Sequence, residues 1–237
     1  MTHAPSIKGW CPGALRPMIS GDGLIVRLRV TAGILTLSQL RAIADASSTY
    51  GNGLLDLSAR GNLQLRGVNE ETWESLIKAL SVHGLIDLTS DAESVRNVMA
   101  SPLAGIDPTA LLDITSLIRS LEQHLVVTTS LHELPAKFSF LIDDGGAFSI
   151  SSFLTDISFE AIHYDHQTLF ALRLGGADDV ALIKPDDLVK TAHAAASYFL
   201  THRREASQKI RRMTDLVAVK GITSLLHDLG FTALIHH

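Results

Sequence analysis

The sequence predicts an α+β protein built in two parts. Residues 1–88 run in the order strand, helix, strand, strand, helix; the pattern restarts around Asp87–Asp91; and helical and strand-like segments then alternate to residue 237. The first part, 1–88, reads as a ferredoxin-like half domain with an N-terminal arm, a twisted sheet covered by helices on one side. The second, 89–237, reads as an α/β domain.

In the first part, residues 24–30 (LIVRLRV) alternate as a half-buried strand with Arg27 and Arg29 on the polar side. Thr36 caps a helix, with Gln39 as its capping-box partner and Leu37, Leu40 and Ala44 as the expected buried stripe. Residues 57–67 (LSARGNLQLRG) then form a hairpin. A loop at Gly61-Asn62-Leu63 would pair Arg60 with Gln64 and Ser58 with Arg66, keeping the polar positions on one face. Asn69 caps a second helix that carries Trp73, Leu76, Ile77 and Leu80 on one side.

In the second part, Asp107-Pro108 is an N-cap and N1 pair for a helix carrying Leu111, Ile114, Leu117, Ile118 and Leu121. Strands are expected at 137–142, 147–151, 156–164 and 169–174, separated by the turns Asp143-Asp144-Gly145-Gly146 and Gly175-Gly176. A long helix from Pro185 to Arg204 would bury Leu188, Ala192, Ala195 and Phe199, and another covers 206–229 and stops at Gly230. The layering is open between two and three.

Composition removes several classes of function. A net charge of −5 argues against general nucleic-acid binding, and no apolar run approaches a membrane span. The N-terminus lacks a signal-peptide core, and one cysteine, Cys11, allows no internal disulfide, which fits a reducing cytoplasm. A single thiol cannot hold a four-cysteine iron–sulfur cluster. None of the eleven histidines sits at a helical spacing that suits a metal site, and His236-His237 makes a poor one, so no metal ligand is assigned. The run Arg203, Arg204, Lys209, Arg211 and Arg212 reads as a solvated helix face with a secondary option of touching ligand carboxylates.

The hairpin carries the chemistry. Guanidiniums from Arg60 and Arg66 on one face repel each other and call for an anion between them, which points to a ligand with several carboxylates met by forked donors.

Three segments together resemble the nitrite and sulfite reductase family, the enzymes that bind sirohaem: RGNLQLRG at 60–67, RNVM at 96–99 and LPAKF at 134–138. By that resemblance Arg60, Arg96 and Lys137 line the anionic macrocycle and its distal ligand as the catalytic set. Asn62, Gln64, Arg66 and Asn97 would join them in binding the cofactor, a sirohaem or precorrin-type tetrapyrrole. The opening CPGALRPM, the stretch SPLAGIDP and LPAKFSFLIDDGG look most like the precorrin-3B synthase branch. That branch uses molecular oxygen, a 4Fe–4S cluster and an external reductant to hydroxylate a precorrin and close a lactone in aerobic cobalamin biosynthesis. Sulfite reductases carry a second lysine where this chain has Ser139, which makes that branch the runner-up.

The resemblance covers the amino-terminal half of a pseudo-symmetric enzyme whose cluster cysteines belong to the other half. The expected partners are therefore the tetrapyrrole and either a second-half polypeptide bearing the cluster or a second copy of this chain. A non-catalytic tetrapyrrole-binding homodimer and an inactive remnant stay open beside the half-enzyme reading.

Overall fold

The structure is a computed structural model that describes residues 12–58, 60–206 and 209–234. Cys11, Ala59 and His236-His237 lie outside the described residues. Met18–Ser20 (β1), Gly23–Leu28 (β2), Leu55–Leu57 (β3) and Leu63–Val68 (β4) form an antiparallel sheet in the order β1-β2-β4-β3. Leu37–Tyr50 (α1) and Glu70–Ser81 (α2) cover one face, burying Leu24, Val26 and Leu65 against Ile43, Leu76 and Leu80. Each such buried side chain contributes about 1.5–3 kcal/mol of transfer free energy. Both expected caps are present. The Thr36 hydroxyl accepts from the Gln39 N–H while the Gln39 side chain accepts from the Thr36 N–H, and Asn69 accepts from the Glu71 N–H.

Two features differ from the sequence reading. Leu57 pairs with Leu63 and Asp56 with Gln64, and the Ser58 N–H donates to the Asn62 carbonyl, so the hairpin closes at Ser58 and Asn62 and Arg60 lies in the turn between them. Arg60 therefore does not pair with Gln64. On α1, Leu37 and Leu40 are 62% and 48% exposed and Ala44 is exposed as well. The helix instead turns Ile43, Ala46 and Ser47 inward.

In the second part, Ser90–Val95 (α3), capped by Thr89, leads into Val98–Ala100 (β5). With Phe140–Asp143 (β6), Ile157–Tyr164 (β7), Gln167–Leu174 (β8) and Ala181–Ile183 (β9) it forms a five-stranded sheet in sequential order. The pairs β5-β6 and β6-β7 are parallel, and β7-β8 and β8-β9 are antiparallel. Helices Thr115–Val127 (α4), Leu188–Glu205 (α5), Met213–Lys220 (α6) and Ile222–Asp228 (α7) share one core with the sheet, which makes two layers. Leu188, Ala192, Ala195 and Phe199 are all buried, as their spacing predicts.

Three expectations shift here too. The helix after Asp107-Pro108 starts only at Thr115, whose N–H donates to Asp113, while the Asp107 carboxylate accepts from Thr109 and from the Ala147 N–H in the loop before it. Residues 147–151 form a loop, not a strand; the Asp143 carboxylate accepts from the Ser149 hydroxyl and the Ile150 N–H in place of a ladder partner. The final helix is two, broken at Gly221, whose φ of 78° suits glycine.

Candidate functional site

The two sheets meet along a polar seam. Arg29, the residue after β2, is 9% exposed and donates to the Arg96 carbonyl at 3.4 Å, while Arg96 Nη2 donates back to the Arg29 carbonyl at 2.9 Å. The Arg96 guanidinium forks onto Asp87 at 3.1 and 2.8 Å and donates to the Thr31 hydroxyl at 3.0 Å. Its Nη1 also faces Glu122 at 3.7 Å. Burial works against the charge of Arg96, but Asp87 and Glu122 outweigh it and raise its pKa further. Arg96 is thus a saturated interior cation.

Glu122, 4% exposed, is pushed up to about 7 by burial, with Arg96 opposing. It lines a cavity of about 290 Å³ together with Thr31, Asp87, Arg96 and Arg119. Glu93 is also buried and raised by desolvation. Its carboxylate accepts the Ala14 and Leu15 N–H groups at 2.5 and 3.2 Å, tying the N-terminal arm to α3.

The hairpin side chains divide in two. Arg66 is held by Asp22 at 2.8 Å and Asp56 at 3.1 Å, and this pairing lowers the pKa of Asp22. Gln64 Oε1 accepts from Arg27 at 3.2 and 2.7 Å. Arg60, half-buried in the turn, and Asn62 have no side-chain hydrogen bond or ion pair among the described residues. Because Leu28 pairs with Leu63, that turn stands beside the end of β2 that leads to Arg29.

Lys137 sits just before β6, exposed and without a partner among the described residues. Asn97, 5% exposed, donates to the Phe138 carbonyl at 2.9 Å and so fixes the backbone next to that lysine. Ser139 is fully buried, and its N–H donates to Asp156 at 2.9 Å. Of the expected site residues, Arg60, Asn62 and Lys137 keep free polar groups, whereas Gln64, Arg66, Arg96 and Asn97 are engaged by the protein. Sequence reasoning did not single out Asp87, Glu122 or the Asp156–Arg212 pair; their partners lie 9, 26 and 56 positions away, beyond the three or four residues that a local pattern reads.

Residues 16–83 match the model of the nitrite/sulfite reductase ferredoxin-like half domain, and residues 91–232 match that of the nitrite and sulphite reductase 4Fe-4S domain. The chain belongs to the nitrite and sulfite reductase family. It is 37% identical to a precorrin-3B synthase from Sinorhizobium sp over 76% of this chain and 38% of the relative. It is 34% identical to a ferredoxin–nitrite reductase from Synechococcus elongatus over 68% and 32%. The chain thus spans well under half the length of these relatives. Among solved structures, the NirA protein of Mycobacterium tuberculosis superposes with a TM-score of 0.72 at 22% identity, covering 87% of this chain and 39% of that one. Dissimilatory sulfite reductase I superposes at 0.65 and 14% identity, covering 89% and 70%, and both likenesses speak to the fold.

The family implies sirohaem and an iron–sulfur cluster. Partnerless cations at Arg60 and Lys137 fit a polycarboxylate macrocycle. One cysteine does not fit a four-thiolate cluster, so this chain alone does not ligate one. No described helix is long and apolar enough to cross a membrane.

Proposed function

We propose that this chain is the tetrapyrrole-binding half of a precorrin-3B-synthase-like oxidoreductase, acting in the cytoplasm. In this reading Arg60 and Lys137 meet ligand carboxylates, Asn62 hydrogen-bonds beside them, and Arg96 and Asn97 hold the seam and the Lys137 strand in place. The observation that carries it is that Arg60 and Lys137 keep their charge unpaired while nearby cations are neutralised from within. A sulfite-reducing role is the weaker reading, because Ser139 is buried on Asp156 and presents no charge of its own.

The redox centre would come from a further half, on a separate polypeptide or on a segment outside the sequence given. In support, β3 is a sheet edge with Leu55 and Leu57 37% and 73% exposed, and α1 exposes Leu37 and Leu40. A further ferredoxin-like half, from a cluster-bearing partner or a second copy, would cover both. An absorbance titration with sirohaem and with a precorrin, alone and with a cysteine-bearing partner, tests the reading. Saturable binding is expected, weakened by roughly 1.5–3 kcal/mol in Arg60→Ala, the range of a charged hydrogen bond. If neither macrocycle is bound under any of these conditions, the assignment fails.

A further inference from the structure

The basic run near residue 210 does not behave as one solvated face. Arg203 and Arg204 turn to Glu133, while Arg212 leaves the run and enters the end of the second sheet. There the Asp156 carboxylate, 1% exposed, collects the Ser139 N–H at 2.9 Å, the Met213 N–H at 2.8 Å and the Arg212 guanidinium at 2.7–3.1 Å. Arg212 uses Nε and Nη2 for this pair. Its Nη1 has no partner among the described residues, and the side chain keeps 31% of its surface.

We propose that Arg212, preset by Asp156, is a further carboxylate-binding residue of the tetrapyrrole site, a proposal that rests on the reading given above. Both the Ser139 N–H and Arg212 Nη2 are bonded to the same Asp156 oxygen. Ser139 is two residues from Lys137, so chain geometry keeps the Arg212 guanidinium within about 12 Å of the Lys137 Cα. A macrocycle with carboxylates around its rim can meet both. The ion pair supplies what a ligand contact needs: a guanidinium fixed in orientation, charged at every working pH, with one edge outward. Asp156 does not cancel this use, because its charge is already spread over two backbone N–H groups as well as the guanidinium. Lys209 and Arg211, exposed and with partnerless side chains, keep the surroundings cationic.

The site takes a further carboxylate, so the test compares uroporphyrin with coproporphyrin, which lacks the acetate carboxylates, in wild type, Arg212→Gln, Arg212→Lys and Arg60→Ala. Arg212→Gln is expected to weaken uroporphyrin about tenfold and to narrow its advantage over coproporphyrin. Arg212→Lys, which keeps the ion pair but loses the outward edge, should narrow that advantage as well. It decides the matter if Arg212→Gln fails to fold. An unchanged ratio in Arg212→Lys, with Arg60→Ala weakened, overturns the role of Arg212 alone. Failure of the wild type to bind either porphyrin overturns the tetrapyrrole reading itself.

Discussion

Glu122 Oε2 faces Arg96 Nη1 at 3.7 Å and finds no hydrogen-bond partner, in a side chain only 5% exposed. A buried carboxylate so poorly compensated binds its proton more tightly in the folded than in the unfolded protein. Its folded pKa of about 7 lies above the unfolded value of 4.5. Stability is therefore fully present below pH 4.5 and is lost as the pH rises through 7, by about 3 kcal/mol. Glu122→Gln is expected to flatten that slope, matching wild type near pH 4.5 and exceeding it near pH 8. Urea denaturation at both values checks this, and equal destabilisation at both would mean that the ionised carboxylate is needed.

The neighbouring fork is opposite in sign. Asp87 and Arg96 are 13% and 8% exposed by side chain, and removing one charge leaves the other buried. Asp87→Asn is expected to cost about 3–5 kcal/mol. It should also change the shape of the transition. The fork joins the segment after α2 to the start of β5, between two separate hydrophobic cores. Calorimetry should show one cooperative peak in wild type and two in the variant; a single peak at unchanged temperature would show that the cores are coupled elsewhere.

How much of this was legible in sequence follows the range of each interaction. Thr36 with Gln39, the Asn69 cap and the α5 stripe depend on neighbours two to four residues away, and all three are read correctly. Alternation within the hairpin strands also holds, with Asp56, Gln64 and Arg66 together, but the register differs and Arg60 falls in the turn. Closing the hairpin at Ser58 and Asn62 in place of Arg60 and Gln64 leaves even-numbered strand residues on the same face, so alternation cannot tell the two registers apart. The α1 stripe failed for another reason. Leu37, Leu40 and Ala44 are spaced as a core face should be, but among the described residues nothing covers them. Arg212 met Asp156 across 56 positions, and no local pattern announces that contact.

His124 Nε2 and His193 Nδ1 share a hydrogen bond at 3.0 Å between α4 and α5. One ring must donate and the other accept, so the bond survives one added proton but not two. Burial first, and then His193, lowers the pKa of His124 from 6.5. The unfolded chain therefore binds the proton more readily, and this contribution is present above pH 6.5 and lost as the pH falls below it. His193→Gln keeps a donor and an acceptor and should reduce the loss between pH 6.5 and 5. Melting temperatures across that range provide the check, and a loss as steep as wild type would place its origin elsewhere.

Leu37 and Leu40 on α1 and Leu57 on the β3 edge offer a test of what the chain assembles with. Each is about half exposed or more, and Leu57 lies on the face that α1 and α2 cover farther in, opposite Leu63. Placing charge on a side chain already in water costs a monomer little, whereas placing it in a closed interface is costly. Leu40→Glu combined with Leu57→Lys is therefore expected to leave the melting temperature of the isolated chain nearly unchanged. The same pair should abolish association with a second ferredoxin-like half, whether a copy of this chain or a cluster-bearing partner. Sedimentation velocity of wild type and variant, each alone and mixed with the partner, separates the outcomes. A variant that still assembles like wild type would leave α1 and β3 outside the interface, and one that unfolds would mean that these leucines already serve the first core.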